Sequence, residues 1–213
     1  INLSSNSAQG TFSTTSGGTY TATLQITTSG GVGTFYYKDT LKGTPTLTAA
    51  SGVLASGTQD QTVNSAAANK LVFTTQPPDL ASVGTTFSTA TVVRIYDQYD
   101  NLCYTAPDDD LSVSLNDVNP SNGTGPMPGN LSNATIPASA GVATFSNLSY
   151  DYSSQIKLRA SATGSGGLIT GVSTTAVTVT GNLTLAAPVT QVTNSLGSSG
   201  GTTPVNRALI GFK

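Results

Sequence analysis

The sequence predicts an all-β protein built from β-sandwich domains, and three observations lead to this prediction. Thr, Ser and Gly are abundant (36, 26 and 23 of 213 residues), whereas Glu is absent and Met occurs once. Strand and turn formers therefore outnumber helix formers. Apolar and polar residues also alternate in short runs, and clusters of Gly, Ser and Asn separate these runs. The third observation is an internal repeat with the size of a sandwich domain.

Alternation is clearest in three runs, each of which places its apolar residues on one face of a strand. These apolar sets are Tyr20, Ala22, Leu24 and Ile26; Leu111, Val113 and Leu115; and Ile156, Leu158 and Ala160. Lys157 and Arg159 fall between the apolar residues of the third run, so we expect both side chains to face solvent.

The repeat has a spacing of about 110 residues. Residues 31–35 match residues 141–145, residues 46–51 match 157–162, and residues 61–64 match 177–180. The three matches occur in the same order in both copies, which favours two related domains in tandem.

The second copy carries motifs with a recognisable pattern. These are KLVFTTQP at 70–77, a strand followed by a turn at residues 97–101, LSVSL at 111–115, GVATFSNLS at 141–149 and AVTVT at 176–180. The pattern resembles bacterial immunoglobulin-like repeats of the Big and invasin type, which occur in large cell-surface proteins, adhesins and S-layer-associated chains. The resemblance covers residues 69–180 well and residues 1–64 in part. It implies immunoglobulin-like sandwiches and an extracellular or cell-surface location. Asp100 stands where such repeats usually carry Gly.

Aligned with this pattern, the chain divides into three parts. Residues 1–68 form an incomplete sandwich that begins at about the equivalent of Leu111 and lacks the opening strands, and residues 69–180 form a complete sandwich. Residues 181–213 form a tail. Its first part, residues 181–188, is similar to the opening segment 69–77, and a second apolar stretch covers residues 204–212. Its candidate donor-strand residues are Leu183, Leu185, Val205, Leu209, Ile210 and Phe212.

We expect a non-enzymatic structural subunit of an extracellular fibre or surface layer. Copies of the chain would assemble head-to-tail into a homopolymer, the tail of one completing the incomplete sandwich of the next by β-strand donation. Two simpler interpretations of the same pattern are an excerpt from a longer array, which leaves ragged ends, and completion by the tail of the same chain. An alternative from another functional class is an adhesin stalk or binding module that recognises a glycan or a host surface protein.

Composition argues against several other classes. Without His or Glu, a Ser-His or Cys-His nucleophile and an imidazole metal ligand are excluded, and an acid/base pair would need two aspartates. The net charge is −2 and the eight cationic residues are scattered, so we expect no nucleic-acid partner. No apolar run of 18 residues occurs, and residues 1–5 lack the pattern of a signal peptide, so we expect a mature or trimmed chain that does not insert into membranes.

Calcium is the one candidate cofactor. Asp97 and Asp100 lie at one strand end, and Asp108, Asp109 and Asp110 follow a few residues later. Oxygen ligands in a loop suit calcium, although the spacing does not match the twelve-residue calcium loop. A solvated acidic turn is the simpler interpretation.

Other residues are candidates for modification or recognition. Six Asn-x-Ser/Thr sequons mark possible glycosylation sites, at Asn2, Asn122, Asn130, Asn133, Asn147 and Asn182. Lys70 is a candidate isopeptide donor. Cys103 is a small buried residue or an intersubunit bridge. Tyrosines at positions 36, 37, 96, 99, 104, 150 and 152 fill the core and its rim or form a sugar-stacking platform.

Overall fold

The computed structural model describes residues 1–181, and regular structure in this part of the chain consists of strands. It contains no helix that could cross a bilayer. The all-β prediction is confirmed. The first region, residues 1–64, contains β1 (Asn2–Ser5), β2 (Thr11–Ser13), β3 (Leu24–Gln25), β4 (Tyr36–Lys38), β5 (Thr46–Ala50) and β6 (Gly57–Asp60).

The second region, residues 68–180, contains eleven strands. They are β7 (Ala68–Thr75), β8 (Leu80–Ser82), β9 (Thr91–Asp97), β10 (Ser112–Val118), β11 (Leu131–Ser132), β12 (Thr135–Pro137), β13 (Val142–Phe145), β14 (Ser149–Tyr150), β15 (Ser154–Gly164), β16 (Gly167–Val172) and β17 (Val177–Thr180).

Two sheets of the second region enclose one core, as in a β-sandwich. One sheet has the order β12-β10-β15-β17-β8, with β16 also paired to β15, and the other has the order β13-β9-β7. The apolar face of each strand contributes to the same core. Its members include Val113, Leu115, Ile156 and Leu158 from the larger sheet and Phe73, Val93, Ile95 and Phe145 from the smaller one.

Strand β15 organises the larger sheet, because its alternating sequence buries one face and exposes the other. Ile156, Leu158 and Ala160 are fully buried, whereas Lys157 and Arg159 are partly exposed. Both β16 and β17 pair with the same edge of β15. Between them, Ser173 pairs with Leu158: its Oγ accepts from the Leu158 N–H (3.0 Å) and its own N–H donates to the Leu158 carbonyl (2.8 Å).

The first region has one four-stranded sheet, of order β3-β1-β5-β6, and a separate pair, β2-β4. Its core contains three buried apolar residues, Leu3, Phe12 and Ile26. The Phe12 ring lies 5.1 Å from the Tyr37 ring and 5.8 Å from the Phe35 ring, measured between centroids. The run from residue 20 to 26, which the alternation predicts as one strand, forms only β3, because Thr21 instead exchanges backbone hydrogen bonds with Phe12.

Strand pairing repeats between the two regions. The order β3-β1-β5-β6 corresponds to β12-β10-β15-β16. Matching residue pairs are Leu3–Ala49 and Leu115–Ala160, Ala49–Gly57 and Ala160–Gly171, Gly43–Val63 and Ser154–Val179, and Ser29–Val32 and Ser139–Val142. These registers place Leu3 level with Leu115. The first region therefore starts about two residues later in the repeat than the sequence match suggested.

A tyrosine beneath a glycine also recurs. A Cβ atom at Gly10 would lie 2.4 Å from the Tyr37 hydroxyl oxygen, and one at Gly129 would lie 2.5 Å from Cζ of Tyr150. Burial raises the pKa of both phenols. Each ring therefore fills the space that a side chain on the preceding loop would need.

Candidate functional site

The first region has an open edge, which we define as residues 32–35 together with β6. Its equivalent in the second region is closed, because β13 pairs with β9 over four residues. Within residues 1–181 no strand pairs with residues 33–35, and Val32 is 70% exposed. Phe145 is buried, whereas its counterpart Phe35 is half-buried. Backbone groups and apolar surface are thus available for pairing along this edge.

Strand β6 forms the other half of the open edge. All four of its residues are exposed, whereas its counterpart β16 packs against β7. Val53 and Leu54, in the loop before β6, are 93% and 68% exposed. Ile169 on β16 is buried in the core. Strand β6 is therefore uncovered within residues 1–181 at the place where its counterpart β16 packs against β7.

The candidate donor residues lie outside the described part of the chain. They are Leu183, Leu185, Val205, Leu209, Ile210 and Phe212. Donation by this segment stays a prediction.

A buried asparagine joins the two regions. The Asn101 Nδ2 group donates to the Thr40 carbonyl (2.9 Å) and to Asp97 Oδ2 (2.8 Å). The Asn101 Oδ1 atom accepts from the Lys42 N–H (3.1 Å). Both the donor and the acceptor groups of the Asn101 amide are therefore paired. Like a neighbouring strand, the amide donates to one backbone carbonyl of the first region and accepts from one backbone N–H. We call this set of contacts the joint.

Lys42 completes the joint from the first region. Its ammonium group donates to the Leu102 carbonyl (2.5 Å) and lies 3.5 Å from the centre of the Tyr104 ring. Desolvation lowers the pKa of Lys42, while nearby Cys103 and Asp97 raise it by a smaller amount. The Tyr104 ring and the Leu102 carbonyl both stabilise the charged form of Lys42 at this partly buried position.

Asp97 holds the turn from which Asn101 projects. Its carboxylate is buried and accepts hydrogen bonds from the backbone N–H groups of Tyr99 (2.8 Å), Asn101 (2.9 Å) and Ala66 (2.9 Å). Burial by itself would raise the pKa of Asp97, but hydrogen bonds from Asn101, Ala66 and Tyr99 outweigh it and hold the pKa below its usual value. Ala66 lies in the linker between the two regions, residues 65–67, so Asp97 also fixes the linker.

Asp108 has the same role at the start of β7. Its carboxylate accepts from the Ala68 N–H (2.7 Å) and from the N–H and hydroxyl of Ser165 (2.7 and 2.6 Å). Burial opposes ionisation, yet these hydrogen bonds leave the pKa of Asp108 lowered. The carboxylate ties the linker end to the hairpin between β15 and β16.

The five aspartates predicted as calcium ligands have different surroundings. Within residues 1–181 no group of three or more acidic or thiol side chains is placed to hold a metal ion. The carboxylates of Asp97 and Asp108 face N–H donors. Asp100 pairs with Lys70, Asp109 is half-buried and Asp110 is exposed. The five aspartates predicted as ligands are therefore not gathered at one point.

Two further candidates have defined places. Lys70 pairs with Asp100 at the surface, where the side chains are 37% and 78% exposed, so Lys70 does not lie in the buried setting that an isopeptide needs. Cys103 is fully buried, 3.8 Å from the Ala66 carbonyl oxygen, and burial raises the pKa of its thiol. Its position at the joint fits a small core residue.

The tyrosines do not share one environment. Tyr150 is buried, while Tyr36, Tyr99, Tyr104 and Tyr152 are 43–49% exposed. Tyr104 is covered in part by Lys42 of the joint. The sequon asparagines at positions 2, 122, 130, 133 and 147 are all exposed, and Asn182 lies outside the described residues.

A shallow groove of about 500 Å³ lies on the outer face of the larger sheet. Its walls are residues 120–123 and 172–174, and its floor carries Lys157 and Arg159. Arg159 donates to the Gly123 carbonyl. Neither cation has a carboxylate partner within residues 1–181.

Sequence reasoning missed the joint. The turn at residues 97–101 was visible as a motif, but its partner loop lies about 60 residues earlier in the chain. The signal available in the sequence was a pair of polar residues, Asp97 and Asn101, at the end of an apolar strand.

Comparisons with known proteins place few constraints on the chain. No family model matches it, and no curated protein matches it. Among solved structures, the surface layer protein SbsC, domains 1–6, is similar at 14% sequence identity with a TM-score of 0.32. The match covers 70% of this chain and 18% of the SbsC chain. This chain thus spans less than a fifth of that structure's length.

Proposed function

We propose that this chain is a non-enzymatic structural subunit of an extracellular fibre or surface layer, made of tandem immunoglobulin-like sandwiches. In this proposal the first region is completed by strands from a second copy. One observation carries it. The first region repeats the pairing of β12, β10, β15 and β16, but residues 1–181 contain no counterpart of β7 and β9, which close the second region.

The tail is the proposed donor. Its first part, residues 181–188, resembles the segment that forms β7, and its second apolar stretch, residues 204–212, offers a second strand. An extended segment that adds to a free edge gains ladder hydrogen bonds, and its alternate side chains enter the acceptor's core.

The exit point of the tail favours a second copy over the same chain. Strand β15 runs from Ser154, which pairs with Val179, to the hairpin at residues 164–167, which contacts Ala68. Eleven residues of strand cover roughly 35 Å. The first part of the tail, residues 181–188, starts directly after Thr180. It therefore begins at the end of the second region opposite the joint. To complete its own first region, this segment would have to run back along the whole length of the second region.

Polymerisation tests the proposal. Wild-type chain and a variant lacking residues 182–213 are compared over a concentration series by light scattering and negative-stain microscopy. We expect unbranched polymers from the wild type and none from the deletion variant. A deletion variant that polymerises, or a wild type that stays monomeric at every concentration, would overturn donation.

The cationic groove favours one alternative, an adhesin module that binds a glycan. Lys157 and Arg159, without carboxylate partners within residues 1–181, suit an acidic saccharide. A glycan-array signal that disappears in Lys157→Gln and persists in Arg94→Gln, an exposed cation on the other sheet, would support this alternative if the protein is monomeric.

A further inference from the structure

Gly57 and Gly171 occupy the same place in the two regions. Gly57 on β6 lies opposite Ala49, and Gly171 on β16 lies opposite Ala160. The two alanines are equivalent in turn, because each lies opposite the matching leucine of the next strand. The equivalence of the two glycines therefore rests on strand register.

In the second region this glycine allows the backbone of β7 to lie directly against β16. A Cβ atom at Gly171 would lie 2.1 Å from the carbonyl oxygen of Leu71 and 2.9 Å from its carbonyl carbon. Both atoms belong to the backbone, which cannot turn aside as a flexible side chain can. Gly171 does not have a positive φ. Only the close approach of β7 requires a glycine here.

Gly57 has no such requirement within residues 1–181. A Cβ atom there would meet nothing within 4 Å, and φ of Gly57 is not positive. Glycine inside a strand weakens the strand, since it adds conformational entropy to the unfolded chain and packs no side chain. A glycine at this position is explained if another backbone lies against it.

We infer that Gly57 is the point at which the backbone of the completing strand crosses β6, as β7 crosses β16 at Gly171. We call this crossing point the seat. The inference rests on the proposed function, since it assumes that the completing strand comes from another copy. The alignment of residues 181–188 with the opening segment places Leu183 level with Leu71 and Leu185 level with Phe73. The carbonyl of Leu183 would then lie on Gly57, and the Leu185 side chain would enter the core of the first region.

Full-length variants test this seat by complementation. Gly57→Ala adds one methyl group at the seat and leaves the tail able to donate. Leu183→Asp disables the donor and leaves the seat intact. Gly52→Ala is the matched control, because Gly52 is exposed, has no positive φ and would also meet nothing within 4 Å.

We expect Gly57→Ala and Leu183→Asp each to raise the critical concentration for polymerisation at least tenfold, and Gly52→Ala to behave as the wild type. Mixed together, the two deficient variants are expected to form 1:1 dimers, because one retains a working donor and the other a working acceptor. Light scattering after size-exclusion chromatography measures both results. Circular dichroism and a urea midpoint equal to that of Gly52→Ala establish that Gly57→Ala folds, and Gly57→Ser is the second variant at the same site.

The outcomes separate the two proposals. If Leu183→Asp stops polymerisation but folded Gly57→Ala polymerises as the wild type does, donation stands and the seat at Gly57 is wrong. If wild type does not polymerise, the proposed function fails. If both variants are deficient yet their mixture stays monomeric, the pairing of Leu183 with Gly57 is overturned.

Discussion

The two regions pair their strands alike, yet within residues 1–181 the second region encloses a large core and the first only a small one. Twenty-one buried apolar residues form the core of the second region, whereas three form that of the first. In each region the shared register lies within a single sheet. It joins β1 to β5 in the first region and β10 to β15 in the second. Strand pairing within one sheet is thus set by local alternation and turns, but burial needs a second sheet that covers it.

The regions also differ where they meet. Between Tyr37 and Gly43 the first region has five residues, and between the matching Tyr150 and Ser154 the second has three. The longer loop carries the Thr40 carbonyl and Lys42, the two groups that reach Asn101. The repeat is therefore modified at a loop that contacts the second region, which gives the joint a defined geometry.

The largest expected effect separates the two cores. Phe145→Ala, in the complete core, is expected to lower the free energy of unfolding by about 3–5 kcal/mol. Phe35→Ala, at the matching half-buried position, should cost about 1–2 kcal/mol, because less area is removed from contact. Urea denaturation of both variants, below the concentration at which the chain polymerises, measures the difference. Equal costs would mean that the first region is already closed in the monomer.

The next effect concerns the joint. Asn101→Ala removes three side-chain hydrogen bonds and leaves the Lys42 N–H and the Thr40 carbonyl without their partner. A loss of about 2–3 kcal/mol is expected, since unsatisfied buried groups keep their full desolvation cost. Asn116→Ala, at an exposed position on β10, is the control. Nitrogen-15 relaxation would report whether the regions then tumble independently, and unchanged tumbling would show that Asn101 does not hold the two regions together.

These contrasts also explain what could be predicted from sequence. The β-class, the repeat and the buried faces of β10 and β15 follow from alternation, which is a local property. The roles of Asp97 and Asp108 do not, because an acidic residue beside a turn can bind a cation or cap backbone N–H groups, and only the fold decides. The roles of Asn101 and Gly57 could not be predicted either, since they depend on strands and loops that are distant in sequence.

A smaller effect on stability is expected from acid, through the buried carboxylates of Asp97 and Asp108. The pKa values of Asp97 and Asp108 are lowered in the folded chain, so their ionised forms stabilise it above their ordinary unfolded-state pKa. This contribution is lost as the pH falls from the ordinary aspartate range through the lower folded-state values. Urea midpoints measured between pH 6 and pH 3 should decline, and Asp108→Asn should make the decline shallower. A decline that is identical in the variant would exclude Asp108 as a contributor.

The smallest effect tests the turn that presents Asn101. Asp100 has φ of 67°, a left-handed backbone conformation that costs a non-glycine residue about 1 kcal/mol. Its ion pair with Lys70 is exposed and contributes about 0–1 kcal/mol. Asp100→Gly loses the pair but relieves the backbone, so its free energy of unfolding, measured by urea denaturation, should match that of the wild type within about 0.5 kcal/mol. Asp100→Ala loses the pair and retains the strain, and a cost of about 1 kcal/mol is expected. If Asp100→Gly were as destabilised as Asp100→Ala, the carboxylate would matter more to this turn than its backbone conformation.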